Sequence, residues 1–331
     1  PDLRTDKVAQ DFARKPIGTG PFRFKEWTGN TISFENASKA QTTEGVEVVE
    51  VEEGDNETLL QQIQATLVHD QEKQVRMLVD GKIDLILETT PNLHEMLDAA
   101  GLKRSDYVPL HFYAVAFNTI SPIFSDKAVR QAVAYAINKT ELAQQIRQGD
   151  VADLINRGPF AHNDDKRYQK FADSMAYNVA AAEKRLKGKT PVKATMIYQD
   201  DASKTMETLA GKLVLQLANV GIQAEPKGLG MAFETQIKNK NFEMALIRHS
   251  GFSDGYNIAR FYRSDSSSNI TSISSEKLNK ILDEWENSAF WEQRLPAAKK
   301  LHNFLLDASP YAYLFSLPTT AYFSARLDNV M

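Results

Sequence analysis

Residues 248–257, RHSGFSDGYN, gather an arginine, a histidine, a serine and an aspartate between glycines and aromatic residues. Three kinds of chemistry are open to such a stretch. GFSDG at 251–255 fits the pattern G-x-S-x-G, in which glycines relieve crowding around a serine raised on a sharp strand-to-helix turn. His302 follows downstream with acids between, the chain order of one class of serine hydrolases. That geometry needs a buried apolar strand end before the serine and a helix after it. Here Arg248, His249 and Ser250 precede the motif and YNIARFYRS is a poor helix start, so a nucleophilic Ser253 with His302 as base is the weaker reading. Alternatively, Asp254 in a dry cleft would pair with a cation, and Arg248 offers a planar fork for a carboxylate. The plainest alternative is a loop: Asp254 suits a turn or a cap, and Arg248 a surface ion pair.

Other chemistry finds little to work with. The six histidines, at 69, 94, 111, 162, 249 and 302, form no HxH or HExxH pair, which argues against a dedicated metal site. The absence of cysteine excludes disulfides, thiolate-bound zinc and thiol nucleophiles. IGTGPF at 17–22 runs into a proline and a strand rather than a helix N-terminus, so it is no phosphate cradle. No cofactor is expected.

The 331 residues suffice for two domains, and 42% apolar with 25% charged residues is the balance of a folded globular chain. A net charge of −4 with both signs interspersed gives no basic stripe for nucleic acid. No apolar run approaches the roughly 20 residues that span a bilayer.

The elements that must position these groups read as alternating α and β. GTGPFRFKEWTGNTISFEN is a β-hairpin around Gly29-Asn30, with Phe22, Phe24 and Trp27 alternating with polar residues and Trp27 expected in core or hairpin packing. VEVVEV at 46–51 is a further strand, and the second half of ETLLQQIQATLVHD another. QEKQVRMLV is a helix stopped by Gly81, followed by a strand over Ile83–Leu87 and a helix over 91–101. His69 and His94 are placed on solvated surfaces. YAVAFNT at 113–119 is an apolar strand. Ser125 is expected to cap a helix striped by Val129, Ala132, Val133, Ala136 and Ile137, and Thr140 to cap the next. Residues 150–176 are loop-like. Helices and strands then alternate into Arg248, two helices follow, and PYAYLFSLPTTAYFSARLDNV closes with two strands, a pattern that favours an α/β fold with mainly parallel pairing.

The order PIGTGPFRFKEW, HDQEKQVRMLVDGKIDL, YAVAFNTISPIFSDKAVRQAVAYAINKTEL, LVLQLANVGIQAE, FEMALIRHSGFSDGYN resembles the family 5 extracytoplasmic solute-binding proteins, which serve ABC importers of oligopeptides, dipeptides and nickel chelates. The most diagnostic block is an asparagine-ending strand, then F-x-D-x-x-V-R-Q-A, then Y-A-I-N-K. The resemblance implies a non-enzymatic receptor: an α/β, two-lobed, periplasmic-binding-protein-like clamp of the peptide and nickel cluster. Its expected lobes are 1–112 plus 311–331 and 113–310, joined by crossing strands and closing on ligand in the cleft. It implies a peptide or amine- or carboxylate-bearing solute as ligand, an ABC permease as membrane partner, and an extracytoplasmic location, with a lipid anchor in the full-length protein. Ligand binding falls on Asp254, which matches the aspartate that meets a peptide's α-ammonium in relatives, with Arg248, His249, Tyr256, Asn257 and Asn118 around it. A sensory domain of a regulator is the same fold in another role. Two departures stand out. The long segment that relatives carry before PIGTGPF has no counterpart, so lobe I is expected to be incomplete, the chain being a monomer or a dimer through that lobe. The family's D-P step is replaced by Asn257-Ile258.

Overall fold

A computed structural model of the chain describes residues 14–18, 20–37, 60–90, 93–108, 111–146, 151–160, 171, 175–200, 204–250, 258–288 and 290–327. The chain divides into two compact units, 1–104 with 321–331, and 105–320. The strand expected at 46–51 lies outside the described residues.

The first unit opens with β1 (Phe22–Thr28) and β2 (Thr31–Asn36), an antiparallel hairpin. Its two-residue turn, Gly29-Asn30, needs the positive φ of +57° that Gly29 adopts at no steric cost. β3 (Gln62–Thr66) pairs antiparallel with β2. The β1–β2 register slips at Lys25, so that Phe24 faces Phe34 and Trp27 faces Ile32. This bulge puts an even- and an odd-numbered aromatic on one face. Of the core or hairpin packing expected for Trp27, the structure shows the hairpin part: the ring is 55% exposed, and its Nε1–H donates to Gly29 O of the turn at 3.1 Å.

α1 (Gln71–Val79) starts at Asp70, whose carboxylate accepts from Lys73 N at 3.0 Å, buries Val75 and Leu78, and stops before Gly81 at φ +67°. β4 (Leu85–Thr89), α2 (His94–Ala99), β5 (Lys103–Tyr107) and β11 (Thr319–Phe323) follow, with sheet order β4-β11-β5. Both β5 and β11 carry the chain across the division. The core here is small: Val75, Leu78, Ile86, Leu93 and Leu97 around Tyr322, whose hydroxyl donates to Asp98 at 2.8 Å. His94, expected on a solvated surface, is half-buried, with its ring 5.4 Å from that of Tyr322.

The second unit is built on a five-stranded sheet in the order β10-β6-β9-β7-β8. Its strands are β6 (His111–Phe117), β7 (Val192–Tyr198), β8 (Ile222–Gly228), β9 (Met244–Ser250) and β10 (Tyr311–Tyr313). The intervening helices are α3 (Lys127–Ala136), α4 (Lys139–Ile146), α5 (Val179–Leu186), α6 (Thr205–Ala218), α7 (Ala232–Lys238), α8 (Ile258–Tyr262), α9 (Glu276–Glu286) and α10 (Trp291–Ala308). Pairing is mixed where mainly parallel pairing was expected. β7 runs parallel to β8 and β9 through helical crossovers, but β6 is antiparallel to both β9 and β10. Helices lead into both β9 and β10, so alternation in sequence does not fix the direction in which β6 meets them.

Two caps also differ from expectation. Asp126 rather than Ser125 caps α3, accepting from Ala128 N at 2.8 Å, while the Ser125 hydroxyl donates to Pro122 O. At α4 the acceptor is Asn138, bound by Glu141 N at 3.2 Å, rather than Thr140. Asp126 also pairs with Lys189, and that contact first, with the Ala128 amide, holds its carboxyl below the usual range.

Arg130 ties the unit together. It is 6% exposed, and its guanidinium donates only to main-chain carbonyls: to Ala308 O at 2.7 and 3.1 Å, Ser309 O at 3.1 Å, Phe124 O at 2.6 Å and Ser125 O at 3.0 Å. A helix end presents unpaired carbonyls and partial negative charge, and Arg130 answers both at the end of α10. Desolvation lowers its pKa, and nearby Asp126 opposes that shift. The clamp fixes the point from which the chain turns through Ser309 into β10.

Candidate functional site

β9 is buried from Met244 to Ile247 and opens at Arg248 and His249. Its register with β6 sets Arg248 opposite Tyr113, His249 opposite Phe112 and Ser250 opposite His111. Side chains alternate across a strand, so Arg248, exposed, and His249, half-buried, leave the sheet on opposite faces.

His249 sits in an aromatic setting. Its ring stacks on Phe112 with centroids 5.4 Å apart and planes 6° apart, while Phe261 meets it edge-on at 4.3 Å and Tyr311 at 6.2 Å. β10 supplies two tyrosines to the same face because Tyr311 pairs with Ala116 and Tyr313 with Ala114. The small methyls of β6 leave room for the rings. Tyr262 closes the cluster: its hydroxyl shares a 2.8 Å hydrogen bond with that of Tyr313, and its ring lies 5.8 Å from Tyr311 at 90°. The Tyr311 hydroxyl is buried and has no hydrogen-bond partner among the described residues.

Burial is the first cause that pushes the phenols of Tyr262, Tyr311 and Tyr313 well above the ordinary tyrosine range. All three stay neutral at physiological pH. Chemically this end of the ladder is an uncharged, rigid aromatic cluster that holds the His249 imidazole on one face of the sheet, with the Arg248 guanidinium on the other. Phe112, Tyr262, Tyr311 and Tyr313 are each at most 3% exposed, so the cluster holds this strand end rigid and gives His249 a water-poor setting in which charge is little screened.

Of the residues singled out by sequence, Arg248 and His249 share this end. Ser253, Asp254, Tyr256 and Asn257 lie outside the described residues. Asn118 sits beyond the far end of the same ladder, next to Phe117, which pairs with Met244. Its Nδ2 donates to Lys240 O at 2.9 Å and Phe242 O at 3.0 Å, so both amide hydrogens secure the turn into β9. His302 is interior, 3% exposed on α10, with its ring 4.9 Å from Phe171. Gly158 lies so close that a Cβ there would stand 2.5 Å from His302 Cε1. The structure therefore places His302 in packing. Sequence reasoning missed Phe112, Phe261, Tyr262, Tyr311 and Tyr313. The signal available was the large-small alternation of YAY at 311–313 facing AVA at 114–116, which only the β10–β6 register turns into a surface.

Comparison with known proteins adds the lineage. The family model described as bacterial extracellular solute-binding proteins, family 5 Middle, matches residues 3–270. The oligopeptide-binding protein AppA of Bacillus subtilis (strain 168) is 23% identical over 325 residues, covering 91% of this chain and 57% of that protein. Among solved structures, the ABC transporter substrate binding protein CtaP from Listeria monocytogenes superposes with a TM-score of 0.76 at 19% identity, over 97% of this chain and 65% of that one. NikZ from Campylobacter jejuni, solved with Ni(L-His), gives 0.75 at 17% identity, over 99% and 67%. These likenesses carry the fold, the α/β solute-binding-protein fold expected from sequence. The chain spans a little over half the length of AppA.

Proposed function

The chain belongs to the bacterial extracellular solute-binding proteins of family 5, and from that premise we propose that it is the substrate-binding part of an ABC importer. In this reading it captures a small peptide or a related amine- or carboxylate-bearing solute outside the cytoplasmic membrane and delivers it to a permease. The names of its relatives support the class: one is an oligopeptide-binding protein, and another was solved with a nickel–histidine complex. No helix among the described residues is long and apolar enough to cross a membrane.

The observation that carries the reading is the open end of β9, where a buried central strand delivers His249 to a neutral aromatic cluster on one face and Arg248 to the other, just before the sequence reaches Asp254, Tyr256 and Asn257. In the proposed mechanism Asp254 accepts from the ligand's α-ammonium in a water-poor site. Arg248 meets a carboxylate, while His249 and Tyr256 wall the guest. The two compact units act as the lobes, and hinge closure selects the liganded state, so affinity reports contacts made only when closed. Native mass spectrometry of protein purified without refolding tests the reading. A heterogeneous set of retained peptide masses, or one discrete chelate, supports capture. Protein that retains nothing, and gains nothing when dialysed against a peptide mixture, contradicts it.

A further inference from the structure

The chain passes between its two compact units twice, inside β5 between Arg104 and Ser105 and inside β11 between Thr320 and Ala321. β5 and β11 are neighbours in the order β4-β11-β5, so the two passages lie side by side and run in opposite directions. Side-chain bonds tie the strands together on either side of the division. Within the first unit, the Asp98 carboxylate accepts from the Tyr322 hydroxyl at 2.8 Å and from Arg104 Nη1 at 3.4 Å, so it joins β11 to β5. Within the second unit, the Thr320 hydroxyl donates to Asp106 Oδ1 at 2.6 Å. The step from Arg104 to Asp106 along β5 matches the step from Tyr322 back to Thr320 along β11. The four residues therefore form two rungs on one face of the strand pair. Ser105 and Ala321, both small, fall between the rungs.

We propose that the two rungs confine the motion between the units to the step that holds Ser105 and Ala321, and that the Thr320–Asp106 bond sets how stiff this hinge is. A hinge absorbs its change of backbone angle in a few residues, and small side chains there obstruct it little. The first-unit end is anchored beyond its rung as well. Ser324 N donates to Asp84 O at 2.9 Å, and Lys103 Nζ donates to Leu327 O at 3.1 Å. At the second-unit end the rung is a single bond between buried Thr320 and exposed Asp106. With that bond in place the two strands turn as one ribbon. Without it they splay beyond the division, and each passage flexes separately. A hydrogen bond of net worth about 1 kcal/mol corresponds to roughly a fivefold change in the population of the flexed states.

The chain has no cysteine, so two introduced ones can carry spin labels at chosen places. Lys73→Cys on α1 and Lys280→Cys on α9 are exposed and lie in different units. Double electron–electron resonance then reads the distribution of distances between the units without any ligand. Thr320→Val removes the donor at nearly constant shape, and Asp106→Ala removes the acceptor. Each should broaden the distribution and raise the weight outside the parent's main peak about fivefold, with unchanged far-UV circular dichroism. Thr320→Ser keeps a hydroxyl and Asp106→Asn keeps Oδ1, so both should reproduce the parent. A distribution unchanged in both Thr320→Val and Asp106→Ala overturns the proposal. Equal broadening in Thr320→Ser and Asp106→Asn also overturns it, because the bond would then not be the cause. The distances are read on the empty chain, so the result is independent of whether a peptide is captured.

Discussion

The two units solve the problem of burying a sheet to different degrees. In the second, β6 is buried on both faces from Phe112 to Phe117, and β9 from Met244 to Ile247, under helices on either side. In the first, five buried side chains gather around Tyr322, while β3 is exposed at all five positions. A layer of helices makes the second unit a finished platform on which an aromatic wall can be held rigidly. The first has spare apolar surface, and spare surface is what interaction sites are made from.

That contrast can be broken at the platform first. Arg130→Met should cost about 3–5 kcal/mol, because a buried cation that satisfies carbonyls on both α10 and the turn before α3 is lost and those carbonyls are left unpaired. Calorimetry should show the second unit melting roughly 6–15 °C lower. Arg130→Lys should recover little, since a single ammonium cannot reach both carbonyl sets. A thermal midpoint within a degree or two of the parent would mean that the α10 terminus is held by something else.

Gly158→Ala tests the packing of His302 and should destabilise by about 1–3 kcal/mol, because the new methyl enters the ring's space. Combining it with His302→Ala should cost less than the sum of the two single changes, a coupling that a catalytic histidine facing solvent would not show. Chemical denaturation of the four proteins in the cycle gives the answer.

The aromatic wall predicts a one-sided pH response. Tyr262, Tyr311 and Tyr313 keep their protons in the folded chain beyond the ordinary value of about 10, whereas the unfolded chain releases them there. Their contribution is therefore full below about pH 10 and is lost as pH rises toward the folded values, with a slope approaching 4 kcal/mol per pH unit if all three act. Ultraviolet titration should leave three of the eleven tyrosines silent until unfolding. The smallest effect is Tyr262→Phe, about 1–2 kcal/mol, from leaving the Tyr313 hydroxyl unpaired.

Legibility in the sequence followed how local the cause was. α1, with Asp70 before it and Gly81 after, is written in a few adjacent residues and could be read directly. So could the hairpin at Gly29-Asn30 and the helix that buries Val129, Ala132, Val133 and Ala136. Ser125 and Asp126 both suit a cap, and only the entry angle of the chain chose the aspartate. β5, KRSDY, has neither an apolar run nor clean alternation and exists because β11 pairs with it from more than two hundred residues away. The wall around His249 was hidden for the same reason: it joins residues 112, 249, 261, 262, 311 and 313 through strand register, which no local pattern encodes. Asn118 was visible as a strand-ending polar residue, but its partners at 240 and 242 were not.

The proposed recognition of a free amino terminus by Asp254 is tested most directly by calorimetric titration of the parent and Asp254→Asn with one peptide in two forms, α-amino free and N-acetylated. Loss of a charge-assisted bond in a desolvated site is worth about 1.5–3 kcal/mol, so the substitution should weaken the free-amine peptide by roughly 10- to 150-fold and leave the acetylated one nearly unchanged. Equal weakening of both forms, or of neither, would contradict the role given to Asp254.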